Sequence, residues 1–340
     1  MAVNISTLAS QTSLIDRVKQ VQVQMSEYQQ QITTGVKHQT FKDYGADGLR
    51  IQRYRADLAS IDGYTYNIDS AQVNIDQMNS AISENIDQAG NILQAISVQL
   101  ARGSDFDVEG IKSAARTALQ VIEANMNAKV GDRYLFAGSD VSVKPYSGAA
   151  AADNGVQARV SDWLDGTVTT DQFLDGINNM TDSQSGYSTS LQSAKKVFAR
   201  ADDQFEVDYT VLANSPGFKK VVNAIRAIAN IQFPSEGTDV PTKDNFYDAL
   251  NSLYAQVQSG VNDLRNDSTK IASASQQLNV VKQNHLDDKQ NLQQILENTE
   301  AADTTDAVVK FQTLQTQLQA SYQVTSILSQ LSLARYLYGG

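Results

Sequence analysis

The chain has no cysteine in 340 residues and only two histidines, His38 and His285. The first absence excludes disulfides and thiolate metal sites, and the second leaves almost no material for histidine-based zinc or triad chemistry. A surplus of basic residues is missing too: Lys and Arg number 27 against 38 Asp and Glu, a formal net charge of -11. Nucleic acid, whose phosphates demand a basic face, is thereby disfavoured as a partner, and separate copies repel one another. No apolar run approaches the length of a membrane-spanning helix, and the N-terminus lacks a basic region followed by an apolar core and a cleavage site. These gaps lead us to expect a soluble, non-catalytic chain with no cofactor, no bound metal and no membrane insertion. If it leaves the cell, the route does not use a cleaved signal peptide.

What the chain has instead is two uncharged, sticky ends. Phe311 to Ala334 contains no charged residue, yet it is too rich in Gln, Ser and Thr to be a membrane span, and the residues before Asp16 are uncharged as well. An apolar stripe follows at Leu14, Val18, Val21, Met25, Tyr28 and Ile32, with steps alternating four and three, the signature of a coiled-coil seam. Burying six such side chains at about 1.5 to 3 kcal/mol each yields roughly 10 kcal/mol or more before entropy is subtracted. A lone helix of this length gains almost none of that and is marginal in water. Ends that are disordered in the monomer and fold upon assembly are therefore expected; the alternative is that the two ends pack on each other within one molecule. The candidate assembly residues are the six above together with Phe311, Leu314, Leu318, Val324, Ile327, Leu328 and Leu331.

Between the ends the pattern runs as a mirror. A connector at His38 to Gly48, with turn and cap chemistry, precedes a long seam from Ile51 through Leu58, Ile68, Ile75, Ile82 and Leu93 to Leu100, a helix of about 75 Å. Thr65, Gln72 and Asn79 interrupt that seam at heptad spacing, as polar core positions that fix register at a cost in stability. Arg102-Gly103-Ser104-Asp105 ends the helix, and Ser104 or Asp105 is placed to cap a third one carrying Val108, Ile111, Ala115, Leu119, Ile122 and Met126. Tyr134-Leu135-Phe136 and Val141 to Tyr146 suggest a hairpin or small sheet. A compact mixed region follows, with a turn at Asp153-Asn154-Gly155, a strand at Gln204 to Leu212 and a helix at Gly217 to Ile231. Pro234, Gly237 and Pro241 mark a linker. Heptad order then returns from Leu250 through Leu264, Ile271, Leu278, His285, Asp288 and Leu292 to Ile295, a helix of about 70 Å.

Helices of matching length on either side of a central region are best satisfied if the chain runs out, builds a distal domain and returns antiparallel. The expected fold is mainly α, a long antiparallel helical coiled-coil rod with a small mixed α+β central domain. Residues 1–40 and 300–340 would form a terminal coiled-coil domain, 41–146 and 240–299 a helical rod domain, and 147–239 a variable outer domain.

Several strings resemble the bacterial flagellin family. Ile5-Ser6-Thr7-Leu8 and QQQITTGVK at Gln29 to Lys37 are similar to its N-terminal helix and turn. LQTQLQASY at Leu314 to Tyr322 and LSQLSLARYL at Leu328 to Leu337 are similar to its C-terminal signature, the most specific match. Arg133-Tyr134-Leu135-Phe136-Ala137-Gly138 resembles a string of the family's hook-filament junction proteins, which tilts the resemblance toward junction rather than filament. Gln94 to Val98 lacks the Arg-Glu-Leu core of flagellins sensed by an animal immune receptor, so that property is not carried over.

The resemblance implies a structural protein exported unfolded by the flagellar type III apparatus and self-assembling outside the cell. Its implied partners are copies of itself, neighbouring hook-associated and flagellin subunits, and a cytoplasmic export chaperone covering the C-terminal helix. The rivals are a bulk flagellin of the filament and, from another class, a secreted helical adhesin or a hydrolase built on the middle region.

The remaining candidate groups read as structural. His285 is expected to pack with its polar edge toward Asp288 rather than to bind a metal or sense pH. The pairs Asp105 and Asp107, Asp202 and Asp203, and Asp287 and Asp288 lack EF-hand spacing and suit caps and turns. Gly45-Ala46-Asp47-Gly48 lacks the Lys-Ser or Lys-Thr of a phosphate loop and reads as a hinge. Trp163, beside Leu164 and Phe173, reads as a core anchor rather than a surface for glycan or host contact.

Overall fold

The computed structural model describes residues 2–102, 107–233 and 241–338, with side chains for 12–101, 107–233, 241–327 and 330. The chain is mainly helical. In order it forms α1 (Ala2–Thr34), α2 (Ala46–Arg102), α3 (Val108–Met126), β1 (Lys129–Val130), β2 (Arg133–Tyr134), α4 (Ala149–Leu164), α5 (Thr170–Asn178), β3 (Phe198–Asp202), β4 (Phe205–Asp208), α6 (Pro216–Asn230), α7 (Lys243–Glu300) and α8 (Thr304–Tyr338). α1 packs antiparallel to α8, α2 runs antiparallel to α7, and the small α+β region lies between them in sequence. The chain divides into two compact units, residues 1–61 with 286–340 and residues 62–285.

The second unit holds a continuous core. α6 is buried nearly all round, through Phe218, Val221, Val222, Ala224, Ile225, Ala227 and Ile228, the mark of a central helix. Pro216, whose missing N–H costs nothing in a first turn, starts it. α7 passes so close to α6 that a Cβ on Gly260 would lie 2.7 Å from Val221 Cγ2. α3 turns Ile111, Ala115, Leu119, Ile122 and Met126 into the core. Its cap is Asp107, whose carboxylate accepts the Gly110 N–H at 2.8 Å; the expected caps Ser104 and Asp105 lie outside the described residues. The linker residues Pro234 and Gly237 lie outside them as well.

Two polar interruptions of the α2 seam tie it to α7. Gln72 Nε2 donates to Asn279 Oδ1, and Asn79 Oδ1 accepts from Ser268 Oγ at 2.6 Å. With Lys282 and Asp69 at 2.6 Å, they hold one antiparallel register. The α7 seam departs from strict heptads after His285. Lys289, Leu292 and Leu296 turn inward while Asp288 and Ile295 are exposed. The successive four-residue steps 281, 285 and 289 form a stutter, because a straight helix of 3.6 residues per turn drifts out of a 3.5-residue repeat and an additional four-residue step resets the phase. His285 is buried, but its partner is not Asp288: Nε2 donates to the Ala201 carbonyl at 2.7 Å and the ring stacks on Tyr64.

The middle region differs from expectation in three places. Val141 to Tyr146 forms no strand beyond a single bridge of Tyr146 to Tyr187, and the local hairpin instead pairs β1 with β2. Asp153-Asn154-Gly155 is not a turn; it lies within α4, whose Ala152, Val156, Val160 and Trp163 are buried at helical spacing. Tertiary packing overrides three turn-forming residues there. The expected strand at Gln204 to Leu212 is shorter, Phe205–Asp208, and pairs with β3 in a two-stranded hairpin. Trp163 is fully buried, stacked on Phe173 at 5.1 Å with its N–H donated to Thr170 Oγ1. α5 opens on a reciprocal capping box of Thr169 and Gln172. At the centre, the buried Arg226 pairs with Glu123 of α3 and, at 2.6 Å, with Asp153 of α4, over the Tyr146 ring. Burial pushes the Glu123 carboxyl up against the pull of Arg226, and pushes the Tyr146 phenol up to about 12.

Two measurements check this packing. Gly260→Ala overfills the α6–α7 contact and lowers stability by about 1 to 3 kcal/mol. Gly90→Ala, with no atom within 4 Å of its Cβ, raises it by up to about 1 kcal/mol, so the urea midpoints move in opposite directions. Asp208 provides a pH signature. Burial raises its pKa, but the Thr210 backbone N–H, Lys196, the Thr210 hydroxyl and Lys270 outweigh that and bring it down to about 2. Its contribution is present above the unfolded value of about 3.9 and is lost as pH falls through about 2. Asp208→Asn removes about 1 to 2 kcal/mol at neutral pH and flattens the decline in stability between about pH 4 and 2.

Candidate assembly surface

Two helices laid side by side bury one stripe each and leave the rest to solvent, and α1 and α8 do just this. Leu14, Val18, Val21, Met25, Tyr28 and Ile32 of α1 are half-buried, as are Phe311, Leu314 and Leu318 of α8. Gln22 donates to the Tyr322 hydroxyl at 3.0 Å, and Lys310 lies over the Tyr28 ring. The two ends thus find each other within one chain. The pairing is incomplete, however. Val324 and Ile327 are 47% and 56% exposed, and Ile15, Val23, Val309 and Tyr322 are also at least half exposed. Leu328 and Leu331 lie in α8, outside the described side chains. In the whole first unit the buried apolar side chains, among the described residues, are Ile51, Ile61, Leu296 and Ala307.

The inner end of the pair is held by a clasp between the two connectors. Thr33 and Thr34 return their hydroxyls to the carbonyls of Gln29 and Gln30. Gly35 takes the left-handed conformation, φ +70°, that ends a helix most cheaply. Val36 then bridges to Ala301: Lys37 N–H donates to Glu300 O at 2.7 Å, and Ala302 N–H to Gly35 O at 2.8 Å. The Lys37 ammonium reaches the α7 carbonyls of Asn298 and Thr299, where a cation satisfies both open acceptors and the helix dipole. Arg55 of α2 grips both oxygens of the Glu300 carboxylate at 2.9 and 3.0 Å and lies over Phe41. The string QQQITTGVK is therefore a helix end and half of a clasp. That clasp escaped sequence reasoning; its one legible signal was the cation at Lys37 just past a glycine. Gly45, φ +56°, supplies the turn into α2.

The other sequence candidates lie elsewhere. Arg133 to Gly138 is a packing device: Phe136 and Ala137 are buried, Phe136 meets Phe218 edge to face, and its carbonyl accepts the Ala213 N–H at 2.9 Å. A Cβ on Gly138, φ +66°, would come within 2.9 Å of Leu212. In Gln94 to Val98, Ile96 faces the core and Val98 is exposed. Asp202 and Asp203 sit at the tip of the β3–β4 hairpin, Asp287 and Asp288 are exposed on α7, and Asp105 lies outside the described residues. No group of three or more His, Asp or Glu side chains that could hold a metal occurs among the described residues, and no helix there is long and apolar enough to cross a membrane. What this arrangement can do chemically is bury more apolar surface.

Comparison with known proteins bears on that property. Residues 5–140 match the bacterial flagellin N-terminal helical region, and residues 252–337 match the bacterial flagellin C-terminal helical region. Among curated proteins no sequence matches the chain. Among solved structures the chain is similar to one described as a flagellar hook-associated protein from Vibrio parahaemolyticus, at 15% identity and a TM-score of 0.57, over 76% of this chain and 100% of that one. It is also similar to Bacillus cereus FlgL, at 12% identity and a TM-score of 0.50, over 73% of this chain and 98% of that one. At such identities the likeness is one of fold. Flagellins are structural, non-enzymatic proteins that are exported to the extracellular flagellum and assemble there with other flagellar subunits. The two matched regions take in more than half of the sequence, including most of both end helices and both long helices, and the chain belongs to the bacterial flagellin family.

Proposed function

We propose that this protein joins hook to filament, assembling as a ring of its own copies between a neighbouring hook-associated protein and the first flagellin subunits. The observation that carries the reading is the open apolar surface of the α1/α8 pair, with Ile15, Val23, Val309, Val324 and Ile327 exposed on a unit that has little core of its own. The thirteen residues from Leu14 to Ile32 and from Phe311 to Leu331 named above form the assembly interface. Neighbouring subunits finish burying the half-covered seam and cover the outer faces. Residues 1–40 and 300–340 act as the terminal coiled-coil domain, 41–146 and 240–299 as the rod, and 147–239 as the outer domain. The junction role over the filament role is supported by the resemblance of the Arg133 to Gly138 string and by the fold likeness to a protein described as hook-associated. Before export, the same C-terminal apolar groups are the surface that a cytoplasmic chaperone shields.

Electron microscopy of cells lacking the gene tests this reading: bare hooks without filaments are expected, whereas attached filaments of normal length contradict it. Quantifying the protein per flagellum separates the two flagellar roles, since a junction amounts to a single ring and a filament subunit to the bulk of the organelle. Val324→Asp combined with Ile327→Asp is expected to abolish incorporation and motility. Because both side chains are exposed in the isolated chain, the change in its stability stays within about 0.5 kcal/mol.

A further inference from the structure

Gly63 lies inside α2, solvent-exposed, and nothing stands within 4 Å of the position a Cβ would take. Its backbone is not left-handed, so neither space nor conformation calls for glycine. A glycine within a helix favours local opening by roughly fivefold over alanine, which makes this a soft point. It comes two residues after Ile61, the last residue of the first segment of unit one.

The very next residue is fastened. Tyr64 donates its hydroxyl to the Asp203 carboxylate, and its ring stacks on His285 with centroids 5.6 Å apart and planes 18° apart. His285, buried on α7, donates Nε2–H to the Ala201 carbonyl at 2.7 Å. Both polar contacts end on the tip of the β3–β4 hairpin, Ala201 to Asp203. The tip is braced in turn, since Asp203 N–H donates to the Asp202 carboxylate at 2.7 Å and Arg200 Nη2 donates to the Asp203 carbonyl at 3.3 Å. Asp202 and Asp203 are exposed at the tip while Ala199, Ala201 and Val207 pack into the core, so the Tyr64–Asp203 contact can be released with the core behind it intact.

We propose that the hairpin tip is a latch that keeps α2 closed at Gly63, and that releasing it lets α2 open at that residue. Gly90 provides the internal comparison: nothing stands within 4 Å of its Cβ position either, it follows the buried Ala89, and no such fastening of its neighbours to a hairpin is seen among the described residues. The latch is built from Tyr64, His285, Ala201 and Asp203, and the soft point is Gly63. The chain thereby keeps one weak turn in a long helix shut for as long as the hairpin stays down.

Backbone hydrogen–deuterium exchange of the full-length protein, read over residues 60–67, tests this. Asp203→Ala is benign to the fold because that side chain is 82% exposed, and Tyr64→Phe keeps the stack while removing the hydroxyl. Each is expected to speed exchange in that segment several-fold. Adding Gly63→Ala to Asp203→Ala slows it again by roughly fivefold, while adding Gly90→Ala leaves it unchanged. The proposal is overturned if neither latch variant alters exchange over 60–67, or if Gly90→Ala restores it as fully as Gly63→Ala.

Discussion

A pair of helices has only one shared face, and the two ends of this chain carry more apolar surface than that face can hide. Everything in the first unit follows from the mismatch. The seam residues from Leu14 to Ile32 reach half burial against Phe311, Leu314 and Leu318, and Ile15, Val23, Val324 and Ile327 are left outside. At about 25 cal/mol per Å² of apolar surface, covering such residues is a large driving force beside the repulsion of chains that each carry a net charge of -11. That repulsion is screened by salt within about 10 Å, whereas Val324 and Ile327 lie on a segment, Phe311 to Ala334, that carries no charge. On the proposed reading, assembly is directed to the ends, while the acidic remainder resists indiscriminate association.

The second unit shows what completion looks like. α6 is surrounded, Trp163 and Phe173 stack in the interior, and the buried Arg226 has carboxylates from two helices. Polar groups specify the alignment of α2 and α7, through Gln72 with Asn279 and Asn79 with Ser268, in the way that polar seam positions fix register at some cost in stability. Within the first unit, the Val36–Ala301 bridge and the Arg55–Glu300 pair set where the end helices begin. In a protein family that builds an extracellular motility organelle, a well-buried second unit and half-covered ends fit the proposed division between holding shape and joining neighbours.

The long helices and the mirror order were legible in the sequence because seven-residue apolar spacing survives over many turns, as did the polar positions Gln72 and Asn79. The connectors fell where glycine and asparagine or aspartate chemistry interrupted those patterns. What the sequence concealed is local and tertiary. Asp153-Asn154-Gly155 carries strong turn propensity, yet Ala152, Val156, Val160 and Trp163 impose a helix by burial against the core. The phase change after His285 is invisible until the partner helix fixes which side is in, and the Ala201 carbonyl that receives His285 comes from a hairpin 84 positions away. For the candidate assembly surface, the stripe's spacing was readable, but the division within it was not: sequence alone does not tell that Leu314 and Leu318 are half-buried while Val324 and Ile327 remain open.

On the proposed reading, the end helices lack part of their packing until neighbours supply it. The most direct test compares proteolytic protection of residues 12–34 and 304–327 in dilute monomer and in assembled material, with the core of residues 62–285 as the internal reference. Rapid cleavage at both ends of the monomer, against full resistance of the core and of the ends once assembled, is the result this account predicts. End segments as resistant as the core in dilute monomer would contradict it.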